Sequence, residues 1–189
     1  DATTGVSLMS MTAGLDCGPV YHIEEIAIGE TETAGELHDR LAGLGGETLV
    51  AHLDAIIAGD VEAVEQDDTA ANYAPKIAKE DARIDWSLPA DEIARRIRAY
   101  NPFPGAFTFA GGESNVGGGL PATRLKIWRA SLIDGAGDPG TILQYDREAI
   151  VVACGDGALK LDELQLPGKR RASVHEFTGQ IDLEGQRLG

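Results

Sequence analysis

A chain of 189 residues, 43% of them apolar, has room for one domain or one and a half with a buried core. No stretch approaches the ~18 consecutive apolar residues of a bilayer span, and no basic segment leads into an apolar one near residue 1, so neither a membrane span nor a targeting segment is expected. The two cysteines, Cys17 and Cys154, exclude a disulfide framework and lack metal-ligand spacing, and the net charge of −15 argues at first sight against a polyanionic partner.

In chain order, Gly5 to Met11 reads as a strand, Ala13 to Pro19 as a glycine-rich turn, and Val20 to Ile28 as a second strand. Thr33 then caps a helix carrying Leu37, Leu41, Leu44, Leu49, Leu53, Ile56 and Ile57 at helical spacing, and Gly59 ends it. Strand, turn, strand and long helix are the tail of an α/β domain. Residues 60–84 are polar, contain Pro75 and have no apolar stripe, the pattern of a linker. Ser87 and Pro89 open a helix through Arg98, which Asn101-Pro102-Phe103-Pro104-Gly105 stops. Short strands are predicted at 106–109, 124–133, 140–145, 149–154 and 158–166, with a glycine-rich loop at 110–123; such a series points to a small barrel. Ser173 and Glu176 have capping-box spacing for one short final helix.

The charge is unevenly spread. Residues 1–75 hold 15 acidic side chains against one base, Arg40, whereas residues 76–189 hold 16 acids against 15 bases. Those bases are bunched: Lys76, Lys79 and Arg83; Arg95, Arg96 and Arg98; Arg124, Lys126 and Arg129; Lys169, Arg170 and Arg171. Clusters of this kind can bind a polyanion locally, although solvated surface charge is the plainer reading.

Asp16 is the strongest single candidate for chemistry. A carboxylate on a rigid loop in a closed pocket can accept a proton near neutral pH; the plainer reading is an aspartate serving the backbone N–H groups of its own turn. His38 and His52 lie 14 residues apart on the predicted helix, too far at ~1.5 Å per residue to share a metal. These two, with His22 and His175, are read as surface or internally satisfied. Cys17 is read as a packing residue, lacking a base nearby in sequence. Trp86, Trp128, Tyr100 and Phe103 can stack on bases, but core packing is the stronger expectation. Neither a GxxxxGK[ST] loop nor a GxGxxG fingerprint is present.

The stretch GVSLMSMTAGLDCGPV (5–20) resembles the catalytic-aspartate segment of folate-dependent formyltransferases, with Asp16 in the aspartate's place. YAPKIAKEDARIDWS (73–87), IRAYNPFPGAF (97–107) and GDGALKLDELQLPGKR (155–170) are similar to the linker and C-terminal domain of the branch that acts on methionyl-tRNA. The resemblance implies formyl transfer from 10-formyltetrahydrofolate to the amino group of initiator methionyl-tRNA. It implies Asp16 as the catalytic group, Gly14 and Leu15 beside the folate, and no metal. Residues 1–59 are then the end of a Rossmann-like formyltransferase domain. Residues 60–84 are a linker and 85–189 an OB-like β-barrel, and tRNA is bound through Lys76 and Lys79 of the linker and Lys169, Arg170 and Arg171 of the barrel. A cytoplasmic monomer without DNA or membrane partners is expected. The family's partner histidine and asparagine, and its Ser-Leu-Leu-Pro type folate loop, have no counterpart within the chain, so the chain alone is expected to be inactive. Cys17 stands where the family commonly has threonine, and the 110–123 loop is longer than usual. A sugar-nucleotide N-formyltransferase shares the Asp16 motif and is the alternative enzyme; a non-catalytic RNA-binding module is the alternative binding protein.

Overall fold

A computed structural model describes residues 1–111 and 123–189; the expected 110–123 loop lies almost wholly outside them. The chain divides into two compact units, Asp1–Lys76 and Ile77–Gly189, so the boundary falls inside the segment expected as a linker.

In the first unit, β1 (Thr3–Met9) pairs antiparallel with β2 (Val20–Ala27), in a register running from Thr3 opposite Ala27 to Met9 opposite Val20. The first strand starts two residues before its expected position because Thr3 and Thr4 find partners in Ala27 and Ile26. Val20 also exchanges both backbone hydrogen bonds with Val64, at 2.8 and 2.9 Å. Helix α1 (Ala34–Ala58) has the expected ends. The Thr33 hydroxyl accepts from Glu36 N–H, and the Glu36 carboxylate accepts from Thr33 N–H at 2.8 Å. Gly59, at φ 79°, closes the helix in the left-handed region.

Thr48 is buried on α1, while Leu49, Val50, Leu53 and Ile57 remain exposed. By length and composition α1 is apolar enough to cross a bilayer, which a search for unbroken apolar runs does not detect, since Glu47 and Asp54 interrupt the stripe. Spaced apolar positions of this kind equally serve a helix packed on a protein interior.

The second unit is a curled antiparallel sheet with helices. Its strands are β3 (Phe107–Ala110), β4 (Thr123–Ile133), β5 (Ile142–Tyr145), β6 (Ile150–Ala153), β7 (Ala158–Gln165) and β8 (Ala172–Ser173). Their order is β3-β4-β7-β6-β5, with β8 added on β7. Five of these match expected strands; the two-residue β8 is too short to leave a periodic signal. The C-terminal residues reach both ends of the sheet. Gly189 exchanges hydrogen bonds with Phe109 at 2.9 and 3.0 Å, and Leu188 N–H donates to Gly140 O at 2.8 Å ahead of β5.

Helix α2 (Ala90–Ala99) buries Ala90, Ile93, Ala94 and Ile97 in the core beside Leu125, Ile127, Ile150, Leu159, Leu161 and Leu164. Its outer face is held by Asp91–Arg95 and Glu92–Arg96 pairs, each 2.7 Å at four-residue spacing. Ser87 does not cap it. Pro89 occupies the cap position, and the Ser87 hydroxyl and N–H both donate to Asp85, whose carboxyl they hold below the usual range. Helix α3 (Val174–Phe177) carries the expected Ser173–Glu176 capping box and buries Phe177. Trp86 is buried with its indole N–H on the Thr108 hydroxyl at 3.0 Å, a core role.

Leu161 is fully buried at the centre of this core. Leu161→Ala is expected to destabilise the second unit by about 2–5 kcal/mol through lost transfer energy and the cavity left behind. Urea unfolding followed by circular dichroism measures it; a change below about 1 kcal/mol would mean that the core closes around the missing side chain.

Candidate functional site

The first unit contains a cleft of about 870 Å³, lined by the loop Leu15–Cys17, by strand β2 from Val20 to Ile23, and by residues 64–74. Asp16 stands on its rim with φ 54°, the left-handed conformation that aspartate tolerates better than most side chains. The loop is fastened by its backbone: the Gln66 amide donates to Asp16 O at 2.9 Å and to Gly18 O at 2.7 Å. Gly18 is required at the base of the loop, because a Cβ there would lie 1.7 Å from Ser10 O. Among the described residues no hydrogen-bond partner takes up the Asp16 carboxylate, so it does not serve the N–H groups of its own turn. It is exposed at the cleft.

Gly14 and Leu15 share this loop; both are exposed, and Leu15 lines the cleft with Asp16. Cys17 lines it too, its Sγ 3.5 Å from the Thr12 hydroxyl. One cleft residue escapes the sequence reading, and another, His22, is read there only as surface or internally satisfied. Gln66 lies 50 residues from Asp16 in sequence, and no local pattern connects them. His22 lines the cleft with Nε2 3.2 Å from Glu24, and its ring stacks on that of His52 at 3.9 Å. His52 Nδ1 donates to Thr48 O at 2.9 Å. The histidine pair therefore joins β2 to α1, whereas helical spacing alone compares His52 only with His38. Asp67, also in the cleft, has its carboxyl held below the usual range by the Thr69 hydroxyl and then the Thr69 N–H. Among the described residues no group of three or more His, Cys, Asp or Glu could hold a metal ion.

The basic candidates divide. Lys76 is exposed in the first unit, and Lys79 is exposed in the second. Lys169, Arg170 and Arg171 meet different surroundings. Lys169 is exposed, and its carbonyl accepts from the Gln165 amide at 2.7 Å. Arg170 pairs with Glu176 at 2.8 Å. Arg171 reaches Glu163 at 3.6 Å and lies over the Trp128 ring, with Cζ 3.7 Å from its centroid. Trp128, expected in the core, is buried beneath this guanidinium and bonds Gln165 Oε1 through its indole N–H at 2.9 Å. Arg124 and Lys126 share that face: Arg124 lies 3.6 Å over the Phe107 ring and Lys126 Nζ 4.9 Å over Trp128.

Residues 76–181 match the family model described as formyl transferase, C-terminal domain. The methionyl-tRNA formyltransferase of Aromatoleum aromaticum is 44% identical over 94% of this chain and 53% of its own length. That of Geobacter sulfurreducens is 40% identical over 100% of this chain and 57% of its own. The chain thus spans a little over half the length of these relatives. Among solved structures, HypX from Aquifex aeolicus in complex with tetrahydrofolic acid superposes with a TM-score of 0.66 at 20% identity, covering 95% of this chain and 30% of that one. The sugar 3N-formyl transferase WlaRD superposes at 0.63 with 18% identity, covering 90% and 57% respectively. At such identity these two establish likeness of fold.

The two thiols differ sharply in setting. Cys17 is exposed at the cleft, whereas burial pushes the Cys154 thiol up to about 11. At pH 8 an aromatic disulfide reagent is expected to modify one thiol quickly in the native chain and the second only in denaturant. Cys17→Ser should abolish the fast phase; a fast phase surviving in that variant would place Cys154 at the surface.

Proposed function

This chain belongs to the formyl transferase family through its C-terminal domain, and we propose on that premise that it is the C-terminal part of a methionyl-tRNA formyltransferase. The reaction is transfer of a formyl group from 10-formyltetrahydrofolate to the amino group of initiator methionyl-tRNA. The observation that carries this reading is Asp16, a carboxylate with its own turn satisfied elsewhere, displayed on a fastened loop at a cleft of small-molecule size. In the step it would serve, the amine nitrogen attacks the formyl carbon and forms a carbon–nitrogen bond. The amine loses a proton to Asp16, the tetrahedral oxyanion collapses, and the bond to N10 of the folate breaks as that nitrogen takes up a proton. Gly14 and Leu15 would border the folate.

On this reading the first unit is the end of a Rossmann-like formyltransferase domain. The second is an OB-like barrel, supported by the C-terminal residues that bond to both ends of the curled sheet. Lys76, Lys79, Lys169, Arg170 and Arg171 are the expected tRNA contacts. Of these, Lys79 and Lys169 are exposed in the second unit without a carboxylate partner among the described residues. Identity of 40% or more to methionyl-tRNA enzymes, against 18% to a sugar N-formyltransferase, favours a tRNA substrate over a sugar nucleotide. The bacterial relatives favour a cytoplasmic setting, and we propose a monomer.

The test is Asp16→Asn in a protein that also carries the segment the relatives have ahead of this region. Size is preserved and proton acceptance lost, so formylation of charged initiator tRNA is expected to fall by about 10²–10⁴-fold with an unchanged melting curve. A loss under about threefold in a normally folded protein would return Asp16 to the role of a turn residue.

A further inference from the structure

The outer face of β3 and β4 brings together cations from three separate clusters of the sequence, of which the family resemblance assigns Arg171 alone. Along β4, Leu125 and Ile127 point into the core, so Arg124, Lys126 and Trp128 point outward. On β3, Phe107 faces Lys126 and Phe109 faces Arg124 in the register, with Thr108 buried on the opposite side. The result is a layer of aromatic rings covered by cations. Arg83 lies 5.5 Å over Phe109, Arg124 lies 3.6 Å over Phe107, and Lys126 and Arg171 lie 4.9 and 3.7 Å over Trp128.

From this juxtaposition we infer that the outer face of β3 and β4 is a rail for the phosphate backbone of an RNA strand, with Phe103 as an adjoining platform for an unpaired base. The inference rests on the tRNA reading above and names the surface that serves it. Four features favour it over solvated surface charge.

Rings beneath the guanidiniums restrict their motion, so less order is lost when their exposed N–H groups bind phosphate oxygens. Among the described residues, Arg171 alone of the four cations reaches a carboxylate, Glu163 at 3.6 Å, beyond direct hydrogen-bond length. Among the described residues the buried Arg124 Nε atom has no hydrogen-bond partner. The cations also crowd one another: Lys126 is held below the usual lysine value, first by burial and then by Arg124, Arg171 and Lys79. A polyanion relieves that repulsion along its length, and alternate strand residues set its charges ~7 Å apart, a repeat that a backbone of regularly spaced phosphates meets.

The loop after α2 supplies the apolar part. Lys126 Nζ donates to Pro104 O at 3.1 Å, and the Asn101 amide donates to Trp128 O at 3.0 Å. A Cβ on Gly105, at φ 86°, would lie 2.8 Å from the Trp128 ring and 3.0 Å from Lys126 Nζ. This loop is therefore seated on the rail, yet its Phe103 is 67% exposed. An exposed ring beside a basic track is the arrangement by which unpaired bases are stacked.

The experiment is a salt titration of binding between the 189-residue chain and an initiator tRNA transcript, followed by anisotropy. Arg124→Gln, Lys126→Gln and Arg171→Gln combined are expected to flatten the slope of log affinity against log salt by about two units. Arg83→Gln, at an exposed site that a fold defect would not reach, should flatten it by roughly 0.7–0.9. Phe103→Ala should weaken binding roughly 5- to 100-fold at unchanged slope, and Phe103→Trp should restore it. Arg95→Gln, whose cation already faces Asp91, should change the slope least. Parental slopes in the folded triple variant and in Arg83→Gln would overturn the rail while leaving the tRNA reading in place. Absence of any binding at low salt would overturn both. Displacement of the tRNA by poly-glutamate at equal charge would also overturn the rail, reducing it to a general anion surface.

Discussion

Much of the second unit depends on the two-residue alternation of β4, the strand between β3 and β7. Leu125 and Ile127 on one side are fully buried against α2 and the neighbouring strands. The same backbone geometry turns Arg124, Lys126 and Trp128 to the other side. Core packing and surface chemistry are thus coupled: a one-residue slip would place two cations in the interior and two leucine-type side chains in water. The pairing with β3 on one flank and β7 on the other pins that register, which passes an irregularity between Ile127, opposite Leu164, and Arg129, opposite Glu163. Trp128 falls within the irregularity, and its indole N–H bond to Gln165 holds the ring over which Arg171 lies.

The first unit solves a different problem. A glycine-rich turn needs its carbonyls satisfied, and an aspartate within it would ordinarily contribute its side chain to the turn. Here Gln66 reaches the loop from across the chain and donates to the carbonyls of Asp16 and Gly18, so the loop is fastened through its backbone while the Asp16 side chain faces the cleft.

Charge pattern and pairing give different pictures of the basic residues. Arg95, Arg96 and Arg170 belong to clusters in the sequence yet each faces a carboxylate at 2.7–2.8 Å. Exposed pairs of this sort contribute little to stability, but they lower the local positive potential offered to a polyanion. Arg83, Arg124 and Lys126 come from two different clusters and meet on aromatic rings, with no carboxylate partner among the described residues. The electrostatic footprint is decided by which cations keep their charge uncompensated, which no count along the chain provides.

Local patterns settled much of this protein. The Thr33 cap, the Gly59 stop, the Ser173–Glu176 box and five strands of the second unit were legible because caps and periodicities act within a few residues. The glycines around Asp16 marked the candidate loop for the same reason. What only the tertiary structure decided involves partners far apart in sequence. Gln66 meets the Asp16 loop, His22 stacks on His52, and Ser87 turns to Asp85 in place of capping α2. Arg171 finds Trp128 only because β4 and β7 pair and bring the segment after β7 over the indole. Hydrogen bonds and ring contacts depend on distances in space, which local periodicity does not encode until strand register and packing have been set.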